Sequence, residues 1–390
     1  VMELLLEYIS YKLDLCQYGG RRGTSTSHYL IDFITFILYN QDLKEPLAVL
    51  AAMVDFQKAF NRQNHLILIT LLGDMGVPGW LLNIVVGFLQ ERELIVTHNG
   101  AKSESKEMPG GGPQGTVLGM FLFIILINKV GFKQEDRNIG EYITRAHNAH
   151  KVLETMHAKY VDDLTVAEAL NLKNVLKVEE EDELIRPLNY HQRTEQRLKE
   201  GDSKLAQQLK DITEYASINE MKINRKKTKL MLFNTSKTND CQPELKIDGV
   251  KIEVVKEMKL LGVIITDNLR WHENTKSIAK KAFSRIWVIR RLRNMGASKS
   301  TLLDVYNKQI RSVVEYAAVV WNAGLTIDNI NQIERVQKSV FCVILGNKYT
   351  TYEEACSHLN MKTLAERRKE LSLKFAKKAS VHPIHQTWFV

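Results

Sequence analysis

Three acidic residues stand where divalent-metal chemistry could be carried out. Asp55 ends the apolar run "PLAVLAAMVDF", and Asp162 and Asp163 are adjacent in "HAKYVDDLTVAEAL". Neighbouring carboxylates raise each other's pKa unless they share a cation. Mg²⁺ prefers hard oxygen ligands, is usually held by one or two carboxylates and leaves room for substrate phosphates. The three residues therefore indicate a phosphoryl-transfer site, whereas the Asp-Asp pair alone also fits an ordinary acidic hairpin turn.

The elements around these acids could bring them together. A continuous apolar run such as the one before Asp55 is typical of a buried strand, and two short strands are predicted to flank the acidic pair. Acids at strand ends can converge at one edge of a sheet, where two metal ions about 3.5–4 Å apart would clamp the attacking and leaving oxygens. Neighbouring side chains of a strand point to opposite faces. We therefore expect Asp162 to share the metals with Asp55, and Asp163 to be more peripheral.

The rest of the chain reads as a mixed region followed by helices. Helices are predicted over 62–72 and 79–90, and a β-hairpin is predicted to turn at Asn99-Gly100. A Gly-rich loop opens the apolar helix "VLGMFLFIILI", and "SKLAQQLKDITEYASINEM" is amphipathic. Two further runs, "KLMLF" and "MKLLGVIIT", are predicted as strands.

The C-terminal third has helical periodicity and a basic charge. Leu302, Tyr306, Ile310, Val313 and Ala317 form one predicted apolar stripe, and another helix is expected from Asn329 to Leu345. The segment 273–380 holds 20 basic and 9 acidic residues, a net charge of +11, whereas the whole chain carries +9. This distribution is expected if the helical end binds a phosphate backbone.

Several classes of protein are disfavoured. None of the four cysteines forms a CxxC pair, so neither a disulfide framework nor a zinc knuckle is indicated. The longest apolar run, Val117 to Ile127, is shorter than the ~20 residues that a membrane helix needs, and no signal peptide is visible. We expect an intracellular protein of the cytoplasm or nucleus that is not secreted and has no membrane partner. Because Val1 lies inside an amphipathic segment, we expect the sequence to begin partway through a longer protein.

Six motifs, in order, resemble the reverse transcriptases of non-LTR (LINE-type, jockey-like) retrotransposons. They are "QYGGRRGTSTSHYLI", "VDFQKAFN", "GGGPQGTVLG", "YVDD", "MKINRKKTKLMLF" and "MKLLGVIITDNLRWHENT". The helical tail, with "LLDVYNKQIRSVVEYAAVVW" and "INQIERVQKSVFCVILG", is similar to the thumb region of these elements. The resemblance covers nearly the whole chain.

The resemblance implies an α+β fold, a right-hand polymerase with a ferredoxin-like antiparallel palm. It implies a remnant of the fingers over 1–45, a palm over 46–270 and a helical, basic thumb with the C-terminal region over 271–390. Insertions into the palm are expected near 129–155 and 171–200. The family's earlier fingers segment and an endonuclease domain do not precede "QYGG", so we expect an N-terminally truncated chain.

The same resemblance implies roles around the metals. Asp55 and Asp162 would be ligands of two Mg²⁺ ions, with Mn²⁺ as a substitute, and Asp163 would assist. The backbone carbonyl of Phe56 would be a further ligand. Lys227 matches the lysine that protonates pyrophosphate, although a lysine in a basic run is also often only solvated.

Further residues are implied to contact substrates. Phe60 matches the steric gate that excludes a 2′-hydroxyl, with a core aromatic as the alternative. Gln114 and Gly115 lie where the family contacts the incoming nucleotide. Arg22 could contact template or triphosphate, or remain in solvent. The candidates for binding nucleic acid on the first thumb helix are Lys280, Lys281, Arg290, Arg291 and Arg293.

The implied function is an RNA-directed DNA polymerase that adds dNTPs to a DNA primer on an RNA template. One alternative is an inactive, nucleic-acid-binding remnant of such an element. Another is a viral-type RNA polymerase, which Phe60 and Tyr-Val-Asp-Asp in place of Gly-Asp-Asp disfavour. Asn61 departs from the family pattern, which has Asp at this position.

Overall fold

The computed structural model describes two compact units, Val1–Val255 and Lys256–Val390. The described residues are 1–44, 46–113, 115–130, 154–170, 203–234, 243–382 and 385. Residues 131–153 and 171–202 lie outside this set, and with them most of the predicted insertion near 129–155 and all of the one near 171–200. Gln114 also lies outside the described residues. The predicted boundary between palm and thumb at 270 and 271 falls inside the second unit. Among the described residues, no helix is both long enough and apolar enough to cross a membrane.

The first unit is built on a five-stranded sheet with the order β11-β8-β1-β7-β6. All neighbours are antiparallel except β11 and β8, which are parallel. The strands of this sheet are β1 (Ala48–Val54), β6 (Thr155–Tyr160), β7 (Asp163–Leu170), β8 (Lys229–Phe233) and β11 (Glu253–Val254). The remaining strands form small hairpins: β2 (Glu93–Leu94) with β5 (Lys106–Glu107), β3 (Thr97–His98) with β4 (Ala101–Lys102), and β9 (Lys246–Ile247) with β10 (Val250–Lys251).

Among the described residues, six α-helices accompany this sheet: α1 (Met2–Ile9), α2 (Thr26–Gln41), α3 (His65–Asp74), α4 (Gly79–Leu89), α5 (Val117–Leu126) and α6 (Lys204–Ile218). The predicted hairpin at Asn99-Gly100 is confirmed, because both residues have positive φ angles and join β3 to β4. The helix predicted from residue 62 starts at His65 instead, since Asn64 caps it by accepting hydrogen bonds from the amides of Leu66 and Ile67.

Both faces of β1 are covered, which explains its uninterrupted apolar sequence. Leu50, Ala52 and Val54 belong to a core cluster that includes the buried residues of α5 and α6. On the other side of the sheet lies α2, where Phe33 contacts Phe233 of β8 with ring centroids 5.8 Å apart. The strand that ends at Asp55 is therefore held from both sides, and its end is well fixed.

Two helices of the first unit are capped by polar side chains. The Thr116 hydroxyl accepts a hydrogen bond from the amide of Gly119 and starts α5 just after the Gly-rich loop. Glu168 of β7 accepts hydrogen bonds from the first two amides of α6, at 3.1 Å and 3.0 Å. The carboxylate satisfies helix-end donors that would otherwise lack a partner, and it ties α6 to the five-stranded sheet.

The second unit begins with a hairpin and continues as helices. The run "MKLLGVIIT" is not one strand, as predicted, but two: β12 (Glu257–Leu260) and β13 (Val263–Thr266). Leu261 and Gly262 form the turn with positive φ angles. The helices are α7 (His272–Phe283), α8 (Ile286–Asn294), α9 (Lys299–Val305), α10 (Ser312–Val314), α11 (Ala318–Trp321), α12 (Ile327–Leu345), α13 (Tyr352–His358) and α14 (Leu364–Ala379).

Two predictions about these helices are wrong in detail. The first thumb helix is broken at Ser284 and Arg285 into α7 and α8. Between α9 and α10 the chain forms a π-helical segment, Tyr306–Arg311, whose wider turn moves the apolar stripe by one residue. Val314 and Ala318 are therefore buried, and the predicted Val313 and Ala317 are not.

Candidate active site

A strained two-residue turn carries the acidic pair. Tyr160 pairs with Asp163 across β6 and β7, and Val161 and Asp162 form the turn between them. Val161 has a φ of 57°, a left-handed conformation that β-branched residues rarely adopt. Asp162 therefore lies at the tip of the hairpin, and Asp163 is the first residue of β7.

Asp55 reaches the same edge from the neighbouring strand. Val54 pairs with Leu164, so the residue that follows it is level with Asp163. The Asp55 amide donates to the Thr228 hydroxyl at 3.3 Å, and its carbonyl accepts from the Asn224 amide at 2.7 Å. Its Oδ2 atom is buried and has no hydrogen-bond partner among the described residues.

Burial and neighbouring carboxylates disfavour the ionised forms of Asp162 and Asp163. Burial raises the pKa of Asp163 to about 6, and the charges of Asp162 and Asp55 add to this effect. Burial also raises the pKa of Asp162 above its ordinary value; a backbone hydrogen bond opposes the rise, Asp55 increases it and Lys227 opposes it. The site thus concentrates negative charge that the protein itself does not neutralise.

The two adjacent acids have different surroundings. Lys227 lies 4.0 Å from Asp55, measured from Nζ to Oδ2, and its charge acts on Asp162. Asp163 instead acts on Tyr29 of α2, whose pKa is raised mainly by burial and further by this carboxylate. Asp162 and Asp163 therefore have different neighbours, as expected for residues that are not equivalent. Their roles as metal ligands stay a prediction.

These residues fit a divalent cation. The donor set is three carboxylates, the hard oxygen ligands that Mg²⁺ prefers. The unpartnered buried Oδ2 of Asp55 and the raised pKa values of Asp162 and Asp163 are what an added positive charge would relieve. Asp55 and Asp162 are the side chains that would hold the ion, with Asp163 beside them.

Phe56 and Phe60, the two aromatic residues predicted at the site, are buried to different extents. The backbone next to Phe56 pairs with the segment around Ile223: the Gln57 amide donates to the Lys222 carbonyl at 2.7 Å. The Phe56 ring is buried, so only its carbonyl could serve the site. Phe60 is partly buried, and its ring lies 5.2 Å from that of Phe123 of α5. Phe123 therefore packs against one side of the Phe60 ring.

Hydrogen bonds made by Gly112 and Arg92 hold the Gly-rich loop in place, and Arg92 is not among the predicted site residues. The Gly112 amide donates to the Phe60 carbonyl at 2.7 Å. Arg92 donates to the carbonyls of Gly110, at 3.1 Å, and of Gly111. Gly115 has a φ of 86° and is exposed, so the loop stays open beside the start of α5. Arg92 was missed because it is distant in sequence from the loop that it holds.

The predicted basic residues differ in the contacts that they make within the protein. Arg22 is exposed and forms an ion pair with Glu3 at 3.2 Å. Lys280, Lys281, Arg290 and Arg291 are exposed, and their side chains make no hydrogen bond or ion pair with other described residues. The guanidinium of Arg293 lies against Gly346: a Cβ atom on that glycine would be 2.2 Å from an Arg293 nitrogen.

A second set of ligand-type side chains lies near β6. Asp14, Cys16 and His157 offer ligand atoms that are all within 4.8 Å of one another. However, the Lys159 ammonium is 2.8 Å from Oδ2 of Asp14, and burial raises the pKa of the Cys16 thiol well above its ordinary value. A neutral thiol and an already paired carboxylate are poor metal ligands, so this cluster stabilises the fold.

The sequence also compares with known proteins. The profile of the family described as "Reverse transcriptase (RNA-dependent DNA polymerase)" matches residues 2–265. The chain belongs to the reverse transcriptase family. This assignment confirms the family predicted from the six motifs, and reverse transcriptases in general depend on divalent metal ions.

Curated relatives are transposon polymerases. The RNA-directed DNA polymerase from mobile element jockey of Drosophila funebris is 23% identical over 97% of this chain and 37% of its own length. The probable RNA-directed DNA polymerase from transposon BS of Drosophila melanogaster is 22% identical over 85% of this chain and 33% of its own length. The chain spans about a third of the length of these relatives. The jockey-like resemblance is therefore confirmed.

Solved structures of telomerase also resemble the chain. Apo telomerase from Candida tropicalis aligns with a TM-score of 0.43 and 9% identity, covering 99% of this chain and 60% of that one. Telomerase from Candida albicans in complex with a TWJ fragment of telomeric RNA aligns with a TM-score of 0.40 and 11% identity, covering 92% and 56%.

Proposed function

We propose that this chain is an RNA-directed DNA polymerase that adds dNTPs to the 3′-hydroxyl of a DNA primer on an RNA template, with Mg²⁺ as the preferred ion. The observation that carries the proposal is the cluster of Asp55, Asp162 and Asp163, three partly buried acids without a matching protein cation, in a member of the reverse transcriptase family. Free thiols at Cys16, Cys342 and Cys356 accord with an intracellular site of action, in the cytoplasm or nucleus.

The reaction is an in-line displacement at phosphorus. The primer 3′-oxygen forms a bond to the α-phosphorus as the bond to the pyrophosphate oxygen breaks. Bound divalent ions would promote deprotonation of the hydroxyl and neutralise charge on the phosphates. The side chains of Asp55 and Asp162 orient these groups from two adjacent strands. Lys227 is 72% exposed, so its ammonium can reach the departing pyrophosphate and donate a proton to it.

Sugar selection is assigned to Phe60. Its ring leans on Phe123, which is fully buried, so the ring cannot yield readily when a 2′-hydroxyl presses against it. Phe60→Val should therefore lower the discrimination against ribonucleotides by about tenfold or more. The ratio of kcat/KM for dTTP and UTP measures this effect. An unchanged ratio would show that Phe60 is only a core aromatic.

Nucleic-acid binding is assigned to the exposed faces of α7 and α8. Lys280, Arg290 and Arg291 are exposed on these helices, and Trp287, which is 58% exposed, precedes the two arginines on α8. Cations supply sequence-independent contacts to phosphates, and an exposed indole can pack against a sugar or base. Sequence reasoning missed Trp287, although its interleaving with basic residues was the signal available.

Primer extension tests the proposed activity. Poly(rA)/oligo(dT), Mg²⁺ and dTTP are supplied to the parent chain, to Asp162→Ala and to Asp74→Ala, an exposed acid at the end of α3 that serves as the control. We expect extension by the parent chain and the control, and none by Asp162→Ala. Extension that persists in Asp162→Ala would exclude this site. Binding of the duplex without extension by the parent chain would favour the alternative function, an inactive nucleic-acid-binding protein.

A further inference from the structure

A short segment before α2 runs alongside the catalytic hairpin. The Lys159 amide donates to the Cys16 carbonyl at 2.8 Å, and the Tyr18 amide donates to the Lys159 carbonyl at 2.8 Å. These two hydrogen bonds make a parallel bridge between Gln17 and Lys159 of β6. The beginning of the motif "QYGG" therefore continues the main sheet beyond its edge strand, immediately beside the turn that carries Asp162.

The Gln17 side chain reaches from this segment into the turn. It is 1% exposed, and its Oε1 atom accepts hydrogen bonds from the amides of Gly19, at 3.1 Å, and Val161, at 3.2 Å. Val161 is the left-handed residue immediately before Asp162. A conformation that is unfavourable for a β-branched residue persists only when its surroundings hold it. Gln17 supplies the acceptor that this buried amide needs.

Gly19 closes on the same residue. A Cβ atom at this position would lie 2.6 Å from the Val161 amide nitrogen and 2.7 Å from its Cγ2 atom. Distances this short cannot be accommodated without moving the backbone of the turn. Glycine is therefore required at this position by the close approach of two backbone segments.

The other end of the Gln17 amide makes no hydrogen bond with the described residues. Its Nε2 atom is buried and has no hydrogen-bond partner among the described residues. A buried donor without a partner lowers stability, and an apolar side chain of the same shape would avoid this loss. Local rules of stability are most often broken where function requires it.

We infer that Gln17 is a positioning residue for Asp162: through the Val161 amide it holds the catalytic turn in its left-handed conformation, and Gly19 leaves the space for this contact. The inference rests on the proposed function of Asp162. The contact itself can be tested without any activity, because the turn should loosen when the acceptor is removed.

The first test replaces the acceptor with an isosteric apolar side chain. Gln17→Met should speed amide hydrogen exchange in the peptide 155–165 of the metal-free protein, and should lower kcat for primer extension by about ten- to a hundredfold with little change in KM for the primer–template. The half-saturating concentration of Mg²⁺ should rise. The matched control is Asn40→Leu, which removes a fully buried amide of α2 whose one side-chain hydrogen bond to the described residues is donated to the Phe36 carbonyl of the same helix.

The second test leaves the acceptor in place. Gly19→Ala should produce the same faster exchange and the same loss of kcat, whereas Gly87→Ala, where a Cβ atom would meet nothing within 4 Å, should not. Unchanged exchange in both Gln17→Met and Gly19→Ala would overturn the inference, even if the chain polymerises. Faster exchange in a chain that does not polymerise would retain the contact and reject the proposed function. A loss of kcat in Asn40→Leu that equals the loss in Gln17→Met at the same melting temperature would also overturn it.

Discussion

Asp14 lies beside strand β6, and Asp162 is in the turn that follows this strand. The two acids differ in the cations that neighbour them. Burial alone would raise the pKa of Asp14, but the charges of Lys159 and His157 hold it well below its ordinary value. Lys159 is fully buried and also donates to the carbonyls of Ile127 and Asn128, at 3.0 Å and 2.8 Å. At Asp162 the pKa is raised, and Lys227 is the nearby cation, largely exposed.

The difference separates an acid that the protein neutralises from the acids that we propose as metal ligands. The fold supplies a buried counter-ion at Asp14, where the charge joins the segment before α2 to the sheet. At the edge formed by Asp55, Asp162 and Asp163, the described residues supply no buried counter-ion, which accords with the proposed binding of a metal ion there. Four predictions test this comparison.

The largest effect is expected at the edge without a counter-ion. Asp55→Asn removes one charge from the proposed ligand set and should reduce primer extension by at least about a thousandfold. Its melting temperature without metal should not fall, because the mutation relieves repulsion. Mg²⁺ should raise the melting temperature of the parent chain and not that of Asp55→Asn. A chain that loses activity only because it unfolds would contradict the comparison.

At the neutralised cluster the expected effect is on stability. Lys159→Met leaves the buried Asp14 with only His157 as its ionic partner and should lower the free energy of unfolding by about 3–5 kcal/mol, measured in urea. The double variant Asp14→Leu with Lys159→Met should recover most of this loss, because no buried charge remains unpaired. If the double variant is no more stable than Lys159→Met, the pair is not the reason for the stabilisation.

A smaller effect is expected from the titration of Asp163. Its pKa in the folded protein, about 6, lies above the ordinary value of 3.8, so folding favours the protonated form. The stabilisation from this group is present below the ordinary pKa and is lost as the pH rises through about 6. In EDTA the parent chain should therefore lose stability between pH 4 and 7. Asp163→Asn should reduce this slope, measured as melting temperature against pH.

The smallest effect is expected for two arginines that differ in whether the side chain already has a partner within the protein. Arg285 donates to the Gln309 carbonyl, whereas Arg291 makes no such contact with the described residues. Arg291→Gln should weaken duplex binding modestly and reduce the slope of log K against log salt concentration by about one, while Arg285→Gln should leave that slope unchanged. Equal slopes for the two variants would show that contacts within the protein do not identify the binding residues.

Local signals in the sequence were sufficient for part of this structure. The apolar run before Asp55, the amphipathic helix α6 and the long helix α12 were predicted because each satisfies its own periodicity. The break between α7 and α8 and the π-helical segment were not, since the apolar stripe continues through both with nearly helical spacing. The hairpin of β12 and β13 was read as one strand because Leu261, in its turn, is itself apolar.

The sequence predicts some residues of the site and not others, again because it carries only local signals. Motifs identified the acids, but nothing near Asp162 in the sequence indicates Gln17, which lies 144 residues before Val161. Similarly, Lys159 appeared only as a residue beside the Tyr-Val-Asp-Asp motif, and its burial depends on Asp14 from a distant segment. Contacts of this kind become visible only when the strands are placed side by side.

The long separation between Gln17 and Val161 has a consequence for how the chain folds. During synthesis Gln17 is made before the turn that needs it, which emerges only after β1, α3, α4 and α5. Closing a loop of this length costs entropy that only a nearly complete sheet offsets. The turn that carries Asp162 should therefore acquire its final shape late in refolding, after most of the sheet has formed.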